Sequence, residues 1–145
     1  MPRVTLMEQS EYEFSHTLTV RTTDINYAGH LGNEALLGLV HEARANFLKE
    51  LNFNTIVGNK QRIGLILADL AVNFKAEAFA HDQLTVDCHI DEFQEKSFRL
   101  FHRIRCEEQV IALVETGVVA YDYQSGQAVP LPESFLSELI IFRSR

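Results

Sequence analysis

Residues Asp24 to Asn33 read DINYAGHLGN, and the chain changes character on either side of them. Two glycines, a histidine and three short polar side chains give the decamer no periodicity of its own, as expected of a loop. Before it, EFSHTLTVR (13–21) alternates apolar and polar side chains at Phe14, His16, Leu18 and Val20, the period of a half-buried strand. After it the spacing becomes three to four. Leu36, Val40, Ala43, Phe47 and Leu51 form one stripe over residues 34–51, which predicts an amphipathic helix. Asn33 stands where an N-cap belongs, and Glu34 places an acid in the first turn, where it suits the helix dipole.

Beyond Gly58 four runs rich in Val, Ile, Leu, Phe and Thr follow, over 64–76, 84–93, 97–106 and 110–123, separated by polar turn material such as HDQ, QEK and EEQ. Gaps this short cannot hold a parallel crossover, so the runs are expected to be antiparallel and meander-like. Three of them exceed the usual ~5 to 6 residues, which predicts a broad and strongly curved sheet. PESFLSEL (132–139) reads as a short closing helix with Pro132 near its start. One long helix that tends to burial all round, set among about five long strands, predicts an α+β fold in which a curved antiparallel sheet wraps around a central helix. No repeat or linker interrupts the chain, so residues 1–145 are expected to form a single domain.

A net charge of −7 and a pI near 5.3 argue against a nucleic-acid partner, because binding to a phosphate backbone rests on clustered Lys and Arg. Cys88 and Cys106 lie in strand-like runs without metal-ligand or CxxC spacing and read as reduced core thiols. His16, His81, His89 and His102 show no pairing at metal-ligand spacing either, so no metal is expected. No apolar stretch approaches the ~20 residues of a membrane span. The opening MPRVTLMEQSEYEF has no apolar segment of the signal-peptide kind, so a cytoplasmic location and no membrane partner are expected.

The order of these pieces carries a resemblance. A strand, a D-x-(D/N)-x-x-G-H-x-x-N loop, a helix bearing Glu-Ala-Arg and then a long sheet resemble the hotdog-fold acyl-CoA thioesterases of the 4-hydroxybenzoyl-CoA thioesterase type. The matching stretches are VRTTDINYAGHLGN (20–33), HEARANFL (41–48) and NFKAEAFAHDQLTVDCHIDEFQEKSFRLFHRI (73–104), and the likeness runs over about residues 14–123. It implies a hotdog fold, an obligate homodimer joined sheet edge to sheet edge, an active site at the dimer interface and, in many relatives, a tetramer. It also implies an acyl-CoA substrate, with coenzyme A carried by the substrate and no separate cofactor.

Thioester hydrolysis gives the decamer a chemical reading. Negative charge grows on the carbonyl oxygen, and backbone N–H groups at a helix N-terminus can hold it without reorganising. Gly29 and Gly32 let a ligand approach the backbone, either as part of such a site or as turn glycines only. Asn33 is first a cap and second a site residue, and Tyr27 is grouped with the substrate-binding positions. The acid usually credited with catalysis in the family is the second Asp of D-x-D, and Asn26 occupies that position here. An amide cannot act as a base, so Asn26 can at most orient water or the carbonyl. Asp24, His41 and Glu42 are the alternatives for a base or nucleophile. At ~100° per residue Glu42 projects beside Ala35, Leu39 and Asn46, whereas His41 projects near Leu37, Arg44 and Leu48. His30 is either a loop anchor or a site residue.

Arg44 is expected to pair with Asp24 or Glu42 and so fix the loop on the helix, rather than to contact substrate. Lys75, Arg62, Lys60, Arg103 and Arg105 could gather the phosphates of coenzyme A or serve as solvated surface charge. Two other functions fit less closely. A hotdog enoyl- or hydroxyacyl-thioester hydratase usually has its His five positions after the Asp, whereas His30 follows Asp24 by six. A non-catalytic acyl-thioester binding module would explain the amide at Asn26.

Overall fold

The computed structural model describes residues 2–53 and 62–145, and Lys60 lies outside them. The elements in chain order are β1 (Phe14–Thr19), a 3-10 turn (Thr22–Asp24), α1 (Asn33–Glu50), β2 (Ile63–Phe74), β3 (Gln83–Asp91), β4 (Ser97–Cys106), β5 (Gln109–Asp122), the two-residue β6 (Gln127–Ala128) and α2 (Glu133–Arg143). The strands form one sheet in the order β1-β3-β4-β5-β2, with β6 beside β5. Every pairing is antiparallel.

The meander expected from the short gaps holds only for β3, β4 and β5. The β2 strand does not pair with β3; it pairs with β5 at the far edge, with Ile63 opposite Asp122 and Phe74 opposite Ala112. The connection over residues 75–82 therefore runs across one end of the sheet. It is fastened on the way, because the N–H groups of Lys75 and Ala76 both donate to the carbonyl of Ile111.

The period-four stripe on α1 becomes its buried face: Leu36, Leu39, Val40, Ala43, Phe47 and Leu48 are all buried. They pack on the inward side chains Leu84, Val86, Cys88 and Ile90 of β3, Phe98, Leu100 and Ile104 of β4, and Ala112, Val114, Val118 and Ala120 of β5. Phe47 is fully buried, stacks on Phe14 at 4.8 Å and meets Phe142 of α2 at 5.7 Å. The helix is thus clamped between β1, the sheet and α2, which fixes where its N-terminus points.

Three local expectations need correction. Gly32, not Asn33, is the N-cap of α1: it is extended (φ −73, ψ 154), its carbonyl accepts the N–H of Leu36, and Asn33 is already helical. The closing helix runs on to Arg143, with Pro132 as its N-cap. Of the two free thiols only Cys88 is buried, whereas Cys106 at the end of β4 is half-buried.

The opposite face of the sheet is covered by the amino-terminal segment. Phe101 and Leu113 are buried without belonging to the helix-side core. The segment is tied down by Glu8 and Tyr12, which engage Arg103 through an ion pair at 3.0 Å and a ring contact at 4.4 Å. Glu13 completes the fastening by bonding His89 Nδ1 at 2.6 Å and the N–H of Ile90 at 2.9 Å.

Candidate active site

The decamer folds on its own hydrogen bonds. Asn26 Oδ1 accepts the N–H of Ala28 at 3.0 Å, the N–H of Gly29 donates to the Asn26 carbonyl, and the N–H of Asn26 donates to the carbonyl of His30. Gly29 sits at φ +88, a left-handed conformation that a side chain would strain. Leu31 then donates to the carbonyl of Ala78 at 2.8 Å, which draws the 75–82 connection against the loop.

These bonds use up the N–H groups of Gly29, Leu31 and Gly32, the last of which donates to the carbonyl of Asp24. The donors left at the helix tip lie one residue further on than the glycines suggest. Among the described residues the N–H groups of Asn33, Glu34 and Ala35 have no acceptor, since Gly32 offers no side-chain cap. They point along the positive end of an 18-residue helix.

A cavity of about 420 Å³ opens at this tip, lined by Asn26, His30, Leu31, Asn33 and Leu36 from the loop and helix, and by Phe74, Lys75, Ala76, Glu77, Ala78 and Ile111 from the sheet side. That is an ordinary size for a ligand site, with apolar walls and a few polar groups. His30 is 30% exposed; its Nε2 lies 3.8 Å from Glu77 Oε1 and its Nδ1 lies 3.5 Å from the carbonyl oxygen of Leu31. Among the described residues Lys75 is the only cationic side chain lining the cavity.

The carboxylates singled out in the sequence lie elsewhere. Asp24 and Glu42 line a second groove of about 400 Å³ with Leu18, Thr19, Arg21, Ala35, Gly38 and Leu39. Asp24 is buried and held by Arg21, whose Nε and Nη2 donate to it at 3.2 and 3.0 Å and whose backbone N–H donates at 2.9 Å. The hydrogen bond from Arg21 holds the Asp24 carboxyl below the usual carboxylate range. Glu42 is exposed and accepts from Asn46 at 3.2 Å.

Arg44 pairs with neither acid. It lies on the His41 flank of the helix, and its Nη2 donates to His41 Nδ1 at 2.9 Å. Because a guanidinium can only donate, that bond occupies the Nδ1 lone pair of His41. His41 lines neither cavity, and Tyr27 stands fully exposed at the tip of the loop.

Among the described residues the other cation candidates are engaged in ion pairs. Arg62 binds Asp122 through Nε at 2.9 Å and Nη2 at 2.7 Å, and Arg103 and Arg105 both bind the buried Asp87 at 2.8 Å. The sequence reading missed Glu77, which is 62% exposed and reaches the site only because residues 75–82 fold back on the loop. No group of three His, Cys, Asp or Glu side chains among the described residues is placed to hold a metal ion.

Comparison with known proteins adds to this geometry. The sequence profile described as the thioesterase-like superfamily matches residues 20–139. Among solved structures, the chain is similar to Slr0204 from Synechocystis, a 1,4-dihydroxy-2-naphthoyl-CoA thioesterase, with a TM-score of 0.79, 23% identity, and coverage of 88% of this chain and 95% of that one. It is also similar to the BH1999 gentisyl-coenzyme A thioesterase, with a TM-score of 0.78, 26% identity, and coverage of 86% and 98%. TT1821 from Thermus thermophilus superposes with a TM-score of 0.80 at 17% identity, covering 91% and 99%. No curated protein matches the sequence.

Proposed function

From the premise that this chain belongs to the thioesterase-like superfamily and has its hotdog fold, we propose that it hydrolyses acyl-CoA thioesters to free acid and coenzyme A. The observation that carries the proposal is that the helix tip, at Asn33, opens into a polar-edged cavity of thioester size. An acyl carbonyl lying in the cavity at Asn33 meets a donor that is already oriented at the positive end of the helix, which is what a developing oxyanion needs. One missing oxyanion donor in such sites costs about 10² to 10³ in kcat, so the helix tip is a large part of the catalytic effect. Asn26 and His30 edge the same cavity and are suited to orient the carbonyl or the attacking water. Lys75 offers one positive charge for the phosphates of coenzyme A. The two relatives with named substrates act on aromatic acyl-CoA, and aromatic thioesters therefore head the list to be tried.

The working unit is proposed to be a homodimer formed through β2. That strand lies at the edge of the sheet, and it exposes Leu67, Leu70 and the cavity-lining Phe74 by 49%, 48% and 59%. An unpaired edge with apolar side chains is a surface that a second copy covers well. A cytoplasmic location remains an expectation of the same kind; no helix among the described residues is long and apolar enough to cross a membrane.

The deciding experiment offers benzoyl-CoA, hexanoyl-CoA and palmitoyl-CoA to the protein and follows free thiol. Turnover of at least one supports the proposal. Tight binding of all three without thiol release at any pH from 6 to 9 identifies a binding module instead. A crotonyl thioester that loses its double-bond absorbance without releasing thiol identifies a hydratase.

A further inference from the structure

We infer that Glu77 is the carboxylate that activates the attacking water, with the His30 ring 3.8 Å away as its positioning partner; this rests on the hydrolase reading above. Among the described residues Glu77 is the only acidic side chain lining the helix-tip cavity. The two acids weighed as alternatives to the missing second Asp are in the other groove, where Asp24 is committed to Arg21 and Glu42 accepts from Asn46. The amide at Asn26 leaves the cavity without a carboxylate on the loop itself, and its Oδ1 already accepts the N–H of Ala28.

Glu77 is fixed relative to the helix tip by backbone bonds on both sides of it. Ala76 donates to Ile111 at 3.1 Å, and Ala78 accepts from Leu31 at 2.8 Å, two residues before the first free donor at Asn33. Its carboxylate stays wet enough to meet a water molecule, being 62% exposed. The His30 ring is oriented by the loop: with Nδ1 facing the Leu31 carbonyl, Nε2 is turned toward the Glu77 carboxylate.

The step balances without any further reactant. Glu77 takes one proton from water as the water oxygen bonds to the thioester carbonyl carbon, and the carbonyl oxygen becomes an oxyanion facing the helix tip at Asn33. The tetrahedral adduct collapses, the C–S bond breaks with its electron pair on sulfur, and the proton on Glu77 passes to the thiolate. Free acid and thiol leave, and the carboxylate is restored.

The test is steady-state kinetics on whichever of the three thioesters the wild type cleaves, with Glu77→Gln, Glu77→Asp, Glu42→Gln, His30→Ala and the double variant His30→Ala/Glu77→Gln. Loss of a general base costs typically 10² to 10⁴ in rate, so Glu77→Gln is expected to lower kcat about a hundredfold or more with KM within about threefold. Glu77→Asp recovers part of the loss. His30→Ala lowers kcat in the wild type and adds little on top of Glu77→Gln, since it acts through that carboxylate. A Glu77→Gln protein that keeps kcat within about threefold of wild type overturns the inference, as does a hundredfold loss seen in Glu42→Gln instead. Fully additive losses overturn the role given to His30. A wild type that cleaves no thioester removes the hydrolase reading and this assignment together.

Discussion

Asn73 Oδ1 accepts a hydrogen bond from the backbone N–H of Leu6 at 2.6 Å, joining positions 67 residues apart in the chain. The same side chain donates through Nδ2 to the carbonyl of Val4 at 2.8 Å, so one buried amide reads the amino-terminal segment as a neighbouring strand would. Asn73 lies on β2 immediately before Phe74 of the cavity wall, and the segment continues across the sheet to Arg103 and His89. Replacing Asn73 by Ala takes the partner from the N–H of half-buried Leu6 and from the carbonyl of exposed Val4. A cost of about 1 to 3 kcal/mol is expected. The measurement is chemical denaturation together with limited proteolysis, and cleavage within residues 2–12 should accelerate in Asn73→Ala before the rest of the chain is attacked. Unchanged protection of those residues would mean that the segment is held by Glu8, Tyr12 and Glu13 alone.

How much of this was legible beforehand depends on the range over which each feature is encoded. The strand at 14–19 announces itself through a period of two, the helix at 33–50 through a period of three to four, and the four long strands through β-rich composition between polar turns, all to within a few residues. The position of β2 was not legible, because the gap over 75–82 excludes a parallel crossover without saying which antiparallel neighbour the strand finds. Gly29 was readable as a turn glycine, and its φ of +88 bears that out. Glu77 was not readable as a site residue. It sits 47 positions after His30 in a connection of mixed character, and only the Leu31 to Ala78 bond brings the two together. Arg44 could have been placed correctly, since a spacing of three from His41 puts both on one flank. The amino-terminal segment has no period at all; its fastening lies in backbone groups and single long-range side chains.

Thiol chemistry offers a test of the helix-side core that is independent of function. Cys88 is fully buried, its Sγ lies 3.3 Å from His102 Nδ1, and burial pushes the thiol well above its ordinary range. Burial equally drives His102 down, to about 3, so the imidazole is neutral at any working pH and provides no charge to stabilise a thiolate. Alkylation by iodoacetamide, read by mass spectrometry, should therefore label half-buried Cys106 in the native protein and Cys88 only after unfolding. Equal labelling of both thiols in native conditions would contradict the packing of β3 and β4 against α1. The same result matters for thiol-release assays, where Cys106 contributes a background that Cys88 does not.

The Arg21 and Asp24 pair gives the loop a pH dependence with a definite sign. Hydrogen bonds from Arg21 keep the Asp24 carboxyl below the ~3.9 of an unfolded Asp, so the folded chain favours the carboxylate. The resulting stability is complete above that unfolded value and is lost as pH falls through the lower, folded value. Asp24 also accepts the backbone N–H of Arg21 and so closes the 3-10 turn that leads into the decamer. Asp24→Asn keeps an acceptor oxygen for the Arg21 N–H but loses the charge that faces the exposed guanidinium, and is expected to cost about 0.2 to 1 kcal/mol at pH 7. The gap between variant and wild type in denaturation midpoint should narrow as pH drops from 5 to 2. A gap that stays constant over that range would show that the charge of Asp24 contributes nothing.

The clamp on α1 is the feature on which the helix tip depends, and Phe47 is its centre. The ring is fully buried, 4.8 Å from Phe14 on β1 and 5.7 Å from Phe142 on α2, so it joins the first strand, the central helix and the last helix in one contact. Truncation to Ala removes a large apolar area and leaves a cavity that backbone elements on three sides cannot all close. Such changes typically cost 3 to 5 kcal/mol, a large share of the ~5 to 15 kcal/mol that holds a domain of this size together. Phe47→Leu keeps most of the volume and should cost roughly half as much or less. Because Phe142 loses its inner neighbour, proteolysis of Phe47→Ala under native conditions should release α2 first, with cleavage in the 123–132 stretch that precedes it. If Phe47→Leu already matches Phe47→Ala in both denaturation midpoint and α2 release, aromatic stacking rather than volume is what fastens the two helices to the sheet.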